Sequence, residues 1–297
     1  MPGGEERILR RRIRSVQATQ KITRAMELIA ASQIVRAQGR IADAAPYLDG
    51  IAAVLTAAAE EAGDQAGRLL GVPESPTRIL LVAVVADRGL CGGYNANVLR
   101  PAERLVRSGS GAGVEYRVVA VGRKAQSFFR FRRVPFENAF SGFSDRPTFE
   151  DARAVAAVVT RPFLGEEVDQ VLVVSTRFLS AGTQVVETRQ LLPLPEPTAD
   201  ERPRAPGYTE FEPEAADLLV ELVPRYVETA VFGALLEAAA SEHTARQRAM
   251  AAASDNADEL VKTLTRVMNR ARQDAITTEI MEIVGGAEAL RQAAESE

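Results

Sequence analysis

Few side chains in this 297-residue chain are spaced to do chemistry, and the most suggestive group is Asp87-Arg88-Gly89-Leu90-Cys91-Gly92-Gly93-Tyr94-Asn95. It follows an apolar run and opens a helical pattern, the place where an open α/β sheet holds its ligand loop. As a phosphate loop it is incomplete. It has no G-x-G-x-x-G, and no Gly-Lys-Ser/Thr to supply a lysine and a magnesium ligand. Gly92 and Gly93 are equally explained by a tight turn that needs positive φ. Cys91, the single cysteine, has no histidine near it in sequence and only Arg88 beside it to lower its pKa. A packed or merely exposed small thiol therefore fits better than a nucleophile or redox sensor. His243, the single histidine, lies between Glu242 and Thr244 in a long helical stretch, where a solvated or interface position is expected. One cysteine and one histidine exclude an internal disulfide, a multi-cysteine zinc site and a two-histidine metal site. There are no paired carboxylates and no nucleophile–base pair, so neither catalysis, metal nor cofactor is expected.

Charge points to contacts rather than reactions. The formal net charge is −4 and the pI about 5.4, which argues against a globally basic nucleic-acid binder. Seven of the eleven phenylalanines fall between Phe128 and Phe149, interleaved with Arg130, Arg132, Arg133 and Arg146. Such alternation can mark single-stranded nucleic-acid binding, but no RNP-like strand accompanies it, and a satellite hydrophobic cluster is the better reading. Residues 5–40 carry nine basic against three acidic groups, net +6, while residues 41–70 carry one against five, net −4. The basic half is either a solvated face or a contact for an acidic partner.

The elements that must hold these residues are legible from periodicity. Ile34, Ala37, Ile41, Ala44, Leu48, Ile51 and Leu55 alternate spacings of 3 and 4, the seam of a helix packed along another helix. Traced backward the phase meets Leu9, Ile13 and Val16, then fails at Gln20, Thr23 and Glu27, where the apolar stripe moves to Ile22, Met26 and Ile29. A local gap in the pairing, or a different partner, is expected there. From residue 78 strands alternate with helices: Arg78–Ala86, a helix over Tyr94–Ser108, Tyr116–Val121, a helix from Arg123, a helix started by Thr148-Phe-Glu-Asp151, Val168–Ser175 and Thr183–Leu192. Pro193 to Pro213 holds six prolines and reads as an acidic surface loop. Met250, Ala253, Ala257, Leu260, Leu264, Val267 and Ala271 repeat the seam, and its constant phase predicts a continuous helix through Ser254-Asp255-Asn256. No stretch approaches about 18 uninterrupted apolar residues, so no membrane span is expected. The arginine-rich start carries Glu5 and Glu6, against a transit peptide.

Three separated segments then resemble one family in the right order. These are Ser15-Val-Gln-Ala-Thr-Gln-Lys-Ile-Thr-Arg-Ala-Met-Glu-Leu-Ile-Ala-Ala-Ser32, the Asp87–Asn95 motif, and Ser241-Glu-His-Thr-Ala-Arg246 with Asn269-Arg-Ala-Arg-Gln-Asp-Ala-Ile-Thr-Thr-Glu-Ile280 and Glu282-Ile-Val-Gly-Gly. The chain resembles the gamma subunit of F-type ATP synthases. The fold this implies is mixed α+β: a long antiparallel coiled coil of the N- and C-terminal helices with an inserted Rossmann-like α/β domain. The corresponding divisions are 1–71 (N-terminal coiled-coil helix), 72–195 (α/β domain), 196–213 (Pro-rich acidic loop) and 214–297 (C-terminal coiled-coil helix).

The resemblance further implies a non-catalytic central-stalk rotor that carries torque from the proton-driven c-ring to the alpha/beta head and regulates its activity. Implied partners are the alpha and beta subunits, the epsilon subunit and the c-ring, with delta elsewhere in the complex. The implied location is peripheral, on the cytoplasmic side of the cell membrane. Carried over by position, Lys21, Arg24, Met26, Arg246, Arg272, Gln273, Thr277 and Glu282 would touch the catalytic subunits, and Asp87, Arg88, Cys91, Gly92 and Gly93 would form the foot loop. Ile276, Ile280 and Ile283 would turn inside an apolar sleeve. Gln33, Gln247, Arg248 and Met268 depart from the family pattern. A nucleotide-dependent α/β enzyme dimerised by its coiled coil is the alternative, and a static coiled-coil scaffold is a third.

Overall fold

The computed structural model describes residues 3–63, 69–71, 75–194, 211–212 and 214–295; the Pro-rich acidic loop expected at 196–213 lies almost wholly outside them. In chain order the elements are α1 (Gly3–Ala62), β1 (Arg78–Val84), α2 (Tyr94–Gly111), β2 (Glu115–Val121), α3 (Arg123–Arg132), β3 (Asn138–Phe140), α4 (Phe149–Leu164), β4 (Gln170–Phe178), β5 (Gln184–Leu192) and α5 (Ala215–Glu295). They form two compact units: Met1–Leu28 with Ala249–Glu297, and Ile29–Arg248.

The first unit is built only from helix ends. Thr23 Oγ1 lies 2.8 Å from Ser254 Oγ, and the Gln20 side chain comes near Asp258. Partner numbers fall on one helix as they rise on the other, so the pair is antiparallel. Leu9, Ile13, Val16, Gln20, Thr23 and Glu27 are all buried or half-buried, whereas Ile22 is 61% exposed. The seam thus keeps its phase through the polar residues, and the expected gap does not occur. The physical reason is that two hydroxyls satisfy each other, so burying them costs little. Rotating the helix to bury Ile22 instead would turn Ile13 and Val16 outward. On α5 the buried or half-buried line is Met250, Ser254, Ala257, Val261, Leu264, Met268 and Ala271. The expected Leu260 and Val267 are instead 40% and 45% exposed. Both lines have 3–4 spacing, and the Thr23–Ser254 contact selects between them. The helix is continuous through Ser254–Asn256, as the pattern predicts.

The second unit carries a five-stranded sheet in the order β3-β2-β1-β4-β5. The first four strands are parallel and β5 runs antiparallel to β4. Alternate residues of the central strand serve opposite faces. Leu80, Val82 and Val84 pack with α4, the second half of α1 and the start of α5. Leu81, Ala83 and Val85 pack under α2 and α3 through Val98, Ala102, Ala125 and Phe129. Burial on both faces is why this strand reads as a continuous apolar run. Ile34 to Leu55 at the expected seam spacing are buried or half-buried. A Cβ on Gly233 of α5 would come within 3.2 Å of Leu48 of α1, so this glycine sits where the two helices approach closely.

Helix α4 starts on the capping box foreseen at Thr148 and Asp151. Two details differ from expectation. Helix α2 continues through Gly109 to Gly111, and β3 is a three-residue strand lost to sequence reading among the phenylalanines. The phenylalanines form no single satellite cluster: Phe128, Phe129 and Phe136 pack in the core under α2 and α3, Phe140 and Phe143 against the core of the opposite face, and Phe149 meets Phe232 edge-on at 5.5 Å, while Phe131 is 83% exposed. By length and mean hydropathy alone, 1.2 in its most apolar stretch, α1 is long and apolar enough to cross a membrane. Its Leu55, Ala58, Ala59 and Ala62 lie in the core against the sheet, while 17% of that apolar stretch is buried.

Candidate functional site

The Asp87–Asn95 segment leaves the carboxyl end of β1, the edge at which an α/β sheet binds ligands. Here the chain fills that place itself. Asp87 Oδ2 accepts from the amides of Gly142 (2.7 Å) and Ser144 (3.1 Å), and Oδ1 from the amide of Arg123 at the start of α3 (3.0 Å). The Asp87 amide donates to Ser144 Oγ at 2.9 Å. The Asp87 carboxylate thus satisfies the N-terminus of α3 from within the chain. Gly122, before α3, has φ +97°, and a Cβ there would stand 2.2 Å from the Val85 carbonyl oxygen. Only glycine fits.

The rest of the motif packs inward. Asn95 Oδ1 accepts from the Ala86 amide at 2.9 Å, and its Nδ2 donates to Cys91 Sγ at 3.2 Å. Cys91 is buried, and burial pushes its thiol up, opposed by the Arg246 guanidinium. That is the environment of an inert packed thiol. The nearby cation is Arg246, from the far end of the chain, rather than the sequence neighbour Arg88. Gly92 has positive φ as expected; Gly93 does not, at φ −82°, and Leu90 takes the left-handed conformation in its stead.

Helix α5 completes the cluster. Tyr94 donates its hydroxyl to the Ala238 carbonyl at 3.1 Å. Arg246 pairs with Glu242 at 2.7 Å, with side chains 11% and 2% exposed, and also donates to the Gly89 carbonyl at 3.3 Å. Burial pushes the Glu242 carboxyl up, and Arg246 pulls it back. His243 is buried rather than solvated and lies 3.0 Å from the Asp145 carbonyl. Arg248 reaches the β4–β5 turn, donating to the Gly182 carbonyl at 3.0 Å. This is a joint: a turn of the sheet domain clamped onto one helix by buried charge and hydrogen bonds. Glu242 stands four residues before Arg246 in the sequence, but nothing there signals the Gly89 carbonyl, 157 residues away.

The remaining candidates lie elsewhere. Lys21 and Arg24 are exposed and Met26 half-buried on α1, with Arg24 bonded to Glu27 at 2.8 Å. Arg272, Gln273, Thr277 and Glu282 are exposed on α5, beside exposed Ile276, Ile280 and Ile283. Among the described residues no group of three or more His, Cys, Asp or Glu side chains could hold a metal.

Comparison with known proteins agrees with this architecture. A family described as ATP synthase matches residues 5–290. The ATP synthase gamma chain of Parafrankia sp. (strain EAN1pec) is 48% identical over 298 residues, covering 98% of this chain and 99% of the relative. The chain belongs to the ATP synthase gamma chain family. The gamma chain of Mycobacterium tuberculosis (strain ATCC 25177 / H37Ra) is 44% identical over 300 residues, covering 97% of this chain and 98% of the relative. Among solved structures, the gamma-family fold is matched by a chain from the central stalk and c-ring of the Tetrahymena thermophila mitochondrial ATP synthase. That match has TM-score 0.60 and 25% identity over 78% of this chain and 99% of the other. A chain of the Euglena gracilis mitochondrial ATP synthase shares the fold at TM-score 0.66 and 17% identity, covering 97% and 95%. For a gamma-family member, the Asp87–Asn95 motif and the Glu242–Arg246 turn thus gain a common structural reason: they are two halves of one joint.

Proposed function

We propose that this chain is the non-catalytic central-stalk rotor subunit of an F-type ATP synthase. The observation that carries the reading is near full-length similarity to gamma chains, joined to an antiparallel pair of terminal helices whose far residues are exposed. A rotor acts by differential contact: a face that favours one state of a catalytic site stabilises that state only while it points there. The exposed Lys21, Arg24, Arg272, Gln273, Thr277 and Glu282 are suited to such contacts with alpha and beta subunits, and the half-buried Met26 follows Lys21 and Arg24 on α1. Arg246 is mostly enclosed by Glu242 and the Gly89 carbonyl, so its contribution is through the joint. The 72–195 domain would form the foot, toward the epsilon subunit and c-ring, with delta elsewhere, the whole lying peripherally on the cytoplasmic face of the membrane.

The test is the double substitution Arg272→Ala with Gln273→Ala. ATP synthesis by membranes carrying it should fall while the assembled complex and its helix content persist. Wild-type synthesis rates would remove these two residues from the contact set. Affinity purification from mildly solubilised membranes should recover alpha, beta, delta, epsilon and c subunits with ATPase activity. Recovery of a nucleotide-bound homodimer alone would overturn the rotor reading.

A further inference from the structure

Helices α2 and α3 lie side by side on one face of the sheet, both packed over the Leu81, Ala83 and Val85 side. With the α3 cap residue Arg133 they carry eight basic groups against one acidic group, Glu103, in a chain whose net charge is −4. That one carboxylate is already taken. Glu103 is buried between the helices, and its Oε1 accepts from Arg107 Nε at 2.8 Å and Arg132 Nε at 2.7 Å. The side chains of the other six, Arg100, Arg104, Arg123, Lys124, Arg130 and Arg133, are exposed and make no ion pair among the described residues, although Asp87 accepts from the Arg123 amide and the Arg130 guanidinium lies over the Phe136 ring at 5.6 Å. Phe131 stands in their midst with 83% of its surface exposed.

An unneutralised field of this size on one face costs self-repulsion and is relieved by an anionic surface. The single protruding ring decides what kind. A protein interface needs a contiguous apolar core inside its polar rim, and one ring among eight cations does not supply it. A bilayer interface wants just this composition, with guanidinium groups on lipid phosphates and an aromatic ring at headgroup level. We propose that the α2–α3 face docks on an anionic phospholipid bilayer, through its unpaired arginines and Phe131. The inference is independent of the rotor reading, since a rotor subunit need not touch lipid.

The experiment is co-sedimentation of the purified full-length chain with vesicles of phosphatidylcholine alone or with about 30 mol % phosphatidylglycerol. Binding should need the anionic lipid and weaken steeply with salt. Lys124→Gln, Arg130→Gln and Arg133→Gln together should weaken it roughly 10- to 100-fold. Phe131→Ser alone should weaken it less, and should lower the binding that survives at high salt. Removing the same charge from α1, by Arg7→Gln, Arg10→Gln and Arg11→Gln, should change it little. The proposal is overturned if the chain ignores anionic vesicles, or if the α1 triple variant loses binding while the α3 triple variant keeps it. It is also overturned if poly-glutamate captures the chain and vesicles do not, since the face would then suit an acidic protein.

Discussion

Arg246→Ala removes one half of a buried ion pair and gives the sharpest test of the joint. Its guanidinium is 11% exposed, and the Glu242 carboxylate it meets at 2.7 Å is 2% exposed. Deleting one partner of such a pair leaves an uncompensated buried charge and costs about 3–5 kcal/mol. For a unit the size of Ile29–Arg248, that corresponds to a Tm loss of roughly 6–20 °C at about 2–4 °C per kcal/mol. The sign of the pH dependence follows from Glu242, whose carboxyl is already pushed up by burial. A carboxyl with a raised folded pKa binds its proton more tightly folded than unfolded, so its stabilising share is complete at low pH. That share is lost as pH rises through the folded value. Without Arg246 the rise is larger, so the deficit of the variant should be smallest near pH 5 and grow toward pH 8. Replacing both partners by uncharged groups of similar size, Glu242→Gln with Arg246→Met, should recover most of the loss. The chain has no tryptophan, and Tyr94 sits in the joint, so tyrosine fluorescence with far-UV circular dichroism during urea unfolding reads the effect directly. A deficit below about 1 kcal/mol, or one that does not change with pH, would refute the claim that this pair is buried and mutually dependent.

Three other outcomes are expected. Asp169 accepts from Arg78 and from the Thr77 and Arg78 amides, which hold its carboxyl at about 2. Its contribution should be present above the ordinary carboxylate range and vanish as pH falls toward about 2, and acid titrations of Asp169→Asn should lack that step. Gly122→Ala should yield little folded protein, because the new Cβ meets the Val85 carbonyl oxygen at 2.2 Å; expression with circular dichroism checks it, and a fully folded variant would mean the turn can move. Thr23→Val strands the Ser254 hydroxyl and should cost about 1–3 kcal/mol, whereas Thr23→Val with Ser254→Ala should be nearer neutral, as a double-mutant cycle by thermal unfolding can measure.

What periodicity alone determined is local. The 3–4 spacing of Ile34 to Leu55, the apolar run of β1 and the Thr148–Asp151 cap each follow from how one stretch of backbone repeats its side chains, and each is found where expected. The three family motifs also stand in the sequence by themselves. Tertiary structure decided whatever depends on a distant partner. Ser254 was needed to show that Thr23 belongs to the seam, since one helix cannot report which of its stripes is covered. Asp87 looked like part of a ligand loop until Arg123, Gly142 and Ser144 brought their amides to it. Arg246 became an internal clamp only through Gly89, far along the chain. Hydrophobic patterning is written in each segment, but a hydrogen bond or ion pair between segments exists only once the topology has brought both ends together.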